Sequence, residues 1–237
     1  MADSKTEWLE QWEERGRAVR AVFGETDPPG KVTSFSWKDF VLPGACAMTF
    51  PPRPGRMHYT HMTLGLSQQR ADTPTYRWEY AVNTITANDW ASDLLYQLVT
   101  QWLCERGKMG YGYSLPLLFF HDPAKKLWAG VIEESTEIEA VGNIRGMFLW
   151  IDRHKTTFRT SLGDFGILSV ICVTRDEEEL AAICSPAHLV LLLRRLIPED
   201  VCDPWRQSVT SNSRFQSEWA NIQRLSDDDV FAALATT

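Results

Sequence analysis

The feature that most constrains the fold is the segment from Phe165 to Val173, which is almost continuously apolar and rich in β-branched residues. This composition favours a β-strand. Because the segment lacks alternating polar side chains, the strand is expected to be covered on both of its faces. The sequence therefore predicts a central strand within a layered fold.

Helical signals occur on both sides of this strand. The strongest runs from Ala91 to Trp102, where apolar residues recur with the spacing of one helical face. Asn88 can cap this helix, and Gly107 is expected to end it. Capping residues and periodicity predict further helices at 5–23, 174–183 and 185–196 and within 213–234.

Five other segments carry strand signals. They are residues 57–66, 76–85, 115–120, 127–132 and 145–151. Within 76–85, Trp78 and Tyr80 alternate with Arg77 and Glu79, which predicts one buried face with Glu79 on the opposite face. Together the elements predict an α+β fold with a mixed, largely antiparallel sheet flanked by helices.

Charge and cysteine content limit the function classes. The net charge of −7 provides no basic footprint, which argues against nucleic acid and membrane surfaces as partners and favours a basic protein. The N-terminal segment is polar and lacks the apolar core of a signal peptide. Five cysteines, an odd number without CxxC spacing, favour buried free thiols over disulfides or zinc. We therefore predict a cytoplasmic protein.

Two residue pairs are candidates for chemistry. His58 and His61 form an HxxH pair, but positions three apart on a strand point to opposite faces, so we predict no metal site. Asp152 and His154 would share a face of an extended strand and could form a relay with a serine. The sequence has no GxSxG motif and no identifiable nucleophile. We predict a protein that is not an enzyme and has no cofactor, with a hydrolase using Asp152 and His154 as the alternative.

Two polar segments are candidate surfaces. Gly110–Ser114 lacks the spacing and the lysine of a phosphate loop, which leaves a structural turn or a recognition loop. The acidic stretch with Glu133, Glu134, Glu137 and Glu139 is interpreted as a solvated loop. A further hypothesis is a small-ligand sensor with an aromatic pocket around Trp78 and Tyr80.

Six blocks of the sequence occur in a characteristic order. They are MHYTHMTLGLS (57–67), TYRWEYAV (75–82), NDWASDLLYQLVTQWLCERGKMGYGYSL (88–115), LLFFHDP (117–123), FGILSVICVTRDEEELAAICS (165–185) and LLLRRLIPEDVCDPW (191–205). No single block is specific, but the ordered set resembles the suppressor-of-fused domain family. The resemblance implies a single domain over 1–237, with a core at about 30–212 between an N-terminal helix (5–23) and a C-terminal helical tail (213–237).

The resemblance also implies a function. Members of the family have a mixed α/β domain with no cofactor and no known catalytic residues. Animal members carry a second domain and hold transcription factors inactive by clamping a peptide, whereas this chain is similar to the single-domain bacterial members, many of which look like immunity proteins. We therefore expect a domain that masks or neutralises a protein partner, with candidate contacts at Gln101, Tyr111, Gly112, Tyr113, Trp78 and Tyr80.

Two of these positions depart from the family pattern. Animal members have an aromatic residue near the end of the long helix and an acidic residue in the following loop. The aligned residues are Gln101 and Tyr113. The animal ligand is therefore not carried over to this chain.

Overall fold

The computed structural model describes residues 2–26, 35–37, 40–42, 46–67, 77–87, 89–104, 114–116, 143–161 and 163–236. The chain forms two compact units. The first unit comprises residues 1–111 and 151–169, and the second comprises residues 112–150 and 170–237.

The described helices and strands follow one another in an α+β order. The helices are α1 (Ala2–Phe23), α2 (Asp89–Cys104), α3 (Arg175–Ile183), α4 (Pro186–Leu196), α5 (Phe215–Ile222) and α6 (Asp227–Leu234). The strands are β1 (Phe35–Trp37), β2 (Phe40–Leu42), β3 (Cys46–Phe50), β4 (Tyr59–Leu64), β5 (Trp78–Thr84), β6 (Ser114–Pro116), β7 (Ile144–Ile151), β8 (Thr157–Phe158) and β9 (Phe165–Thr174).

In the first unit the strand order is β3-β4-β5-β9. The β3–β4 and β4–β5 pairs are antiparallel, and β5 pairs in parallel with the first half of β9, with Tyr80 opposite Leu168. Strand β8 pairs antiparallel with β9, and β1 with β2 form a separate hairpin. This arrangement confirms the predicted mixed, largely antiparallel sheet.

Both helices of the first unit pack on this sheet. Val19 of α1 lies in one core cluster with Met62 and Leu64 of β4 and with Ala81 of β5. Helix α2 lies against β3, β4 and β5 and buries the predicted apolar face over the part whose side chains the structure describes, residues 90–99. The buried residues in that part are Ala91, Leu94, Leu95, Leu98 and Val99.

In the second unit, β7 lies between β9 and β6, and β6 is antiparallel to β7. Helix α4 supplies the centre of the core, because every residue from Ala187 to Arg194 is buried. Phe215 and Trp219 of α5 and Val230 of α6 pack into the same cluster. The predicted helical tail is therefore an integral part of this core.

Most predicted elements are confirmed, and the central strand is the clearest. All ten residues of β9 are buried, as expected for a strand covered on both faces. Helix α1 begins at Ala2, three residues before the predicted start at residue 5, and ends before Gly24, whose φ of +88° suits glycine. The predicted strand at 127–132 lies outside the described residues.

The expectation of free thiols is wrong for two cysteines. Cys172 in β9 and Cys202, which follows the short 3₁₀ turn Pro198–Asp200, form a disulfide. The number and spacing of the cysteines could not reveal this pair, because Cys172 and Cys202 are 30 positions apart and meet only in the folded chain. Cys46 and Cys184 are free.

Breaking this disulfide is expected to destabilise the second unit. A disulfide that closes a loop of this length stabilises the folded state by about 3–4 kcal/mol, because it lowers the conformational entropy of the unfolded chain. We expect Cys202→Ser to lower the unfolding free energy by about that amount in a denaturant titration, and Cys184→Ser, a change at a free thiol, to have little effect. Equal stability of the oxidised and reduced wild-type protein would contradict the prediction.

Candidate functional site

A polar cleft of about 230 Å³ opens on the first unit at the C-terminal end of α1. Its other walls are the turn at residues 53–56, the start of β4 with the end of β5, and the turn that follows β7. The polar side chains that matter most for its chemistry are Arg53, Arg56, His58, Asn83, Asp152 and His154. The cleft therefore combines parts of the chain that are far apart in sequence.

A tight turn places the two arginines side by side. The backbones of Arg53 and Arg56 exchange two N–H···O hydrogen bonds of 2.8 Å. Pro54 and Gly55 occupy the central positions, and Gly55 has a φ of +86°, as the third residue of a type II turn requires. The sequence Arg-Pro-Gly-Arg is itself a signal for this turn, because proline suits its second position and glycine its third.

Each arginine also holds the last turn of α1. The Nη2 atom of Arg53 donates to the carbonyl of Val22, and Nη2 of Arg56 donates to the carbonyls of Phe23 and Pro51, at 3.1 and 2.6 Å. The guanidinium of Arg56 lies over the Phe23 ring, 5.0 Å from its centre. The contacts with Val22 and Phe23 satisfy carbonyl groups that a helix leaves free at its C-terminal end, and the contact with Pro51 ties Arg56 to the end of β3.

The two positive charges are not neutralised by a carboxylate within the described part of the chain. Neither Arg53 nor Arg56 forms an ion pair there. Burial first, and the neighbouring charge of Arg53 second, lower the pKa of Arg56 to about 10. Arg56 stays charged at neutral pH, so the cleft holds a like-charged pair.

Asp152 and His154 line the same cleft, as expected for residues that share a face. They lie in a turn after β7, however, and not on the strand. Asp152 accepts hydrogen bonds from the hydroxyl of Thr156 at 2.8 Å, from its backbone N–H at 3.3 Å, and from Ser169 at 3.4 Å. These bonds use the carboxylate to hold the turn.

The two histidines of the HxxH pair have separate surroundings. His58 is buried and lines the cleft. The ring nitrogens of His61 lie 3.0 Å from the hydroxyls of Thr49 and Thr84, one on each neighbouring strand. The described residues contain no group of three or more His, Cys, Asp or Glu side chains that could hold a metal ion.

Glu79 corrects the expectation of a strand with one polar face. It is fully buried, and its carboxylate accepts five hydrogen bonds from the four residues Thr63, Gly65, Leu66 and Ser67, at 2.6–3.3 Å. Arg15 of α1 donates to the Ser67 hydroxyl at 3.0 Å. Burial raises the pKa of Glu79, and the hydrogen bonds from Ser67, Thr63 and Gly65 oppose that effect.

The physical reason is that α1 covers this face of the sheet. Ala81, two positions along β5 and on the same face, lies in the core cluster with Val19 of α1. The carboxylate fixes the segment after β4 by binding three consecutive backbone N–H groups. Alternation in the sequence cannot distinguish such a buried acceptor from a solvated one.

The predicted partner contacts have different positions. Tyr80 is completely buried, so its ring belongs to the core and the structure does not support it as a contact or as the wall of an aromatic pocket. Trp78 is partly exposed, and its ring lies against Gly166. Gln101 lies on α2, but its side chain is outside the described part, as are Tyr111, Gly112 and Tyr113. The acidic stretch of four glutamates from Glu133 is outside it too.

The contact between Trp78 and Gly166 leads to a prediction. A Cβ atom on Gly166 would lie 2.7 Å from Cζ3 and 3.1 Å from Cε3 of Trp78. Because a ring cannot yield as a flexible chain end can, Gly166→Ala is expected to cost about 1–3 kcal/mol of unfolding free energy. Chemical denaturation measures it. The same alanine in a Trp78→Leu background should cost clearly less, and an equal cost in both backgrounds would refute the proposed clash.

The second unit contains a serine–histidine contact that the sequence analysis missed. Ser185 Oγ lies 2.8 Å from Nδ1 of His188, while Nε2 lies 3.3 Å from the carbonyl of Leu225. Asp227 is 3.7 Å from the same Nδ1, on the side that faces the serine. In a catalytic triad the acid binds the opposite nitrogen, so this set of residues ties α4 to the start of α6.

Comparison with known proteins identifies the fold through solved structures and not through sequence matches. No family profile and no curated protein sequence matches the chain. A solved structure of the Sufu–Fu complex matches 93% of this chain and 98% of its own, with a TM-score of 0.61 and 13% identity. Drosophila Suppressor of Fused matches 78% of this chain and 46% of its own, with a TM-score of 0.54 and 17% identity.

A bacterial structure is similar as well. A SUFU homolog from Neisseria gonorrhoeae FA 1090 matches 84% of this chain and 97% of its own, with a TM-score of 0.60 and 10% identity. The chain therefore has the suppressor-of-fused fold, which confirms the resemblance inferred from the six sequence blocks. No helix in the described ranges combines the length and apolar character needed to cross a membrane.

Proposed function

We propose that this chain is a protein-binding domain that masks or neutralises a protein partner and does so without catalysis. The observation that carries the proposal is the shared fold, because the similar Sufu structure is a complex of Sufu with Fu. The acidic net charge of −7 supports a partner with a basic surface. An immunity function against a toxin is the narrower form of the same proposal.

An exposed tryptophan on a well-anchored loop also supports protein binding. Trp205 is 67% exposed, although tryptophan is usually largely buried. The disulfide at Cys202 fixes the loop before it, and Arg206 fixes it afterwards through two hydrogen bonds of 2.6 Å to Glu177. A rigidly held aromatic side chain is typical of residues that dominate binding energy. We propose Trp205 as a contact, together with Gln101, Tyr113 and Trp78 as separate candidates.

The contacts of the acidic and histidine side chains support a non-enzymatic domain. Asp152 bonds to Thr156 and Ser169, and His188 bonds to Ser185 on the nitrogen that also faces Asp227. A hydrolase would need a histidine oriented by its acid on one nitrogen and facing a nucleophile on the other.

The test begins with recovery of the bound protein from the native cell, followed by reconstitution from the two purified proteins. We expect a stoichiometric complex in which the partner's own activity is suppressed. Trp205→Ala should weaken the complex by about 2 kcal/mol or more, whereas Ile183→Ala, at another exposed apolar residue, should not. A partner that keeps full activity in the complex would argue against masking.

The cytoplasmic location remains a prediction. It depended partly on free thiols, and the Cys172–Cys202 disulfide weighs against a reducing compartment. Cell fractionation combined with thiol labelling of the endogenous protein decides the question. Because Cys172 and Cys202 are buried, fresh cytosolic extract is denatured without reductant before the labelling. Labelling of both cysteines would then support the prediction, and protection of both would contradict it.

A further inference from the structure

The exposed Trp205 lies in a tight turn that its own residues hold together. The backbone N–H of Arg206 donates to the carbonyl of Asp203 at 3.1 Å, and the backbone N–H of Trp205 donates to the Asp203 carboxylate at 3.0 Å. Aspartate at the first position and Pro204 at the second suit a turn of this kind. The tryptophan therefore occupies the third position of a turn that is stable without a partner.

A second set of contacts holds the same turn from outside. Asn143, which directly precedes β7, donates through its backbone N–H to the carbonyl of Pro204 at 2.8 Å. Its side chain donates to the carbonyl of Arg206 at 3.1 Å. These two carbonyls belong to the residues before and after Trp205. The backbone at the tryptophan is thus ordered in the unbound domain, which lowers the entropic cost of binding through its ring.

The first turn of α3 brings negative charge to this region. It lies beside the tryptophan turn, because Glu177 accepts two hydrogen bonds of 2.6 Å from Arg206. Asp176 and Glu178, on either side of Glu177 in sequence, are exposed. Neither forms an ion pair within the described ranges. Since Glu177 balances the charge of Arg206, these two carboxylates have no positive counterpart.

The other charged groups near the turn do not reverse this balance. Asp203 adds a further carboxylate that has no ion pair in the part of the chain that the structure describes. Arg175 is a nearby cation, but it pairs with Glu179 at 3.5 Å. Residues 175–179 and 203–206 together carry five carboxylates and two guanidinium groups. The surface around Trp205 is therefore locally acidic.

This combination favours a cationic side chain over an apolar one as the occupant. A guanidinium or ammonium group is attracted to the face of an aromatic ring, and the indole of tryptophan attracts it most strongly. An apolar segment docked on Trp205 would remove water from the neighbouring carboxylates without giving them a partner, which is unfavourable. A cationic side chain can contact the ring and interact with the carboxylates at the same time.

We propose that Trp205 and the neighbouring carboxylates of Asp176, Glu178 and Asp203 bind an arginine or lysine side chain of the protein partner, with its cation over the indole ring. The inference rests on the proposed protein-binding function and specifies the chemistry of the segment that the partner presents. Asn143 and Arg206 hold the turn and are positioning residues, because their hydrogen-bonding groups are engaged within the domain.

The experiment uses a capped Gly-Arg-Gly-Arg-Gly peptide as the probe. Its control is the same peptide with citrulline in place of arginine, since citrulline has nearly the same shape and no charge. NMR titration of the full chain follows the indole N–H of Trp205 and the backbone amide of Arg206. We expect a saturable shift of both signals with the arginine peptide, and binding that weakens as salt is added. The citrulline peptide should bind about threefold more weakly or worse.

Two kinds of variant test the ring and the charges separately. Trp205→Leu keeps an apolar side chain but removes the aromatic face, and it should weaken binding of the arginine peptide about two- to fivefold. The double variant Asp176→Asn with Glu178→Gln should also weaken it. The matched control is Glu10→Gln with Asp228→Asn, which changes the net charge equally at exposed carboxylates of α1 and α6. Equal binding of the two peptides, or equal binding by the two double variants, would overturn the proposal.

The complex with the natural partner distinguishes this inference from masking. If Trp205→Ala weakens that complex while the two double variants behave alike, the domain binds its partner through an uncharged side chain, and only this inference fails. A Trp205 signal that shifts with protein concentration in the absence of peptide would identify a second copy of the chain as the occupant and would also overturn it. Charge-dependent peptide binding, combined with a partner that keeps its activity in the complex, would support this inference and contradict masking alone.

Discussion

Replacing Glu79 by alanine is expected to cost about 4 kcal/mol or more of unfolding free energy. The substitution leaves the N–H groups of Gly65, Leu66 and Ser67 without their acceptor in a fully buried site. Each unsatisfied buried donor costs about 1–3 kcal/mol. At about 2–4 °C per kcal/mol for a domain of this size, the melting temperature should fall by roughly 8–16 °C.

Glu79→Ala removes both a hydrogen-bond acceptor and side-chain volume, and Glu79→Gln distinguishes the two effects because it keeps the volume. Its amide oxygen can keep the three donors that now bind Oε1, from Gly65 and Ser67, while the NH₂ group meets Leu66 and Thr63. We expect an intermediate cost of about 1–3 kcal/mol. An alanine variant as stable as the glutamine variant would show that the hydrogen bonds at this site contribute little.

The difference in unfolding free energy between wild type and Glu79→Gln is expected to depend on pH with a defined sign. Burial raises the pKa of folded Glu79 above its ordinary value of 4.5. The folded state therefore binds this proton more tightly than the unfolded state does. The resulting stabilisation is complete below about pH 4.5 and is lost as the pH rises through the folded pKa. The stability advantage of wild type over Glu79→Gln should shrink as the pH rises, and an increase would contradict the expected direction.

The second large effect is expected at Arg206. Its Nη1 and Nη2 atoms each donate to the carboxylate of the completely buried Glu177 at 2.6 Å, and Nη2 also donates to the carbonyl of Cys172 at 2.9 Å. Arg206→Met leaves a buried carboxylate held by the N–H groups of Thr174 and Val209 alone. Breaking a buried ion pair from one side costs about 3–5 kcal/mol, measurable by denaturant unfolding.

An exposed pair on α3 provides the control. Arg175 and Glu179 are 80% and 68% exposed and lie 3.5 Å apart, so Arg175→Met should cost less than about 1 kcal/mol. Adding Glu177→Gln to Arg206→Met removes the unpaired charge and should recover part of the lost stability. If the double variant is less stable than Arg206→Met alone, the penalty does not arise from an unpaired carboxylate.

Sequence periodicity determined most of the local structure. The apolar segment that became β9, the helical face of α2 and the Ser185-Pro186 start of α4 were all predicted correctly, because backbone geometry fixes a period of 2 or 3.6 residues. The ordered blocks also indicated the suppressor-of-fused fold that the structural comparisons confirm. Each of these signals lies within a short stretch of chain.

Tertiary structure alone decided what depends on pairs distant in sequence. Alternation places Glu79 opposite the predicted buried face, but it shows only which side a residue is on and not what covers that side. Helix α1 covers the side of Glu79, and its Arg15 donates to Ser67 across 52 positions of sequence. Cys172 and Cys202 pair across 30 positions, and the cleft joins Arg53 and Arg56 to Asp152. Such contacts follow from how elements pack, which no local spacing specifies.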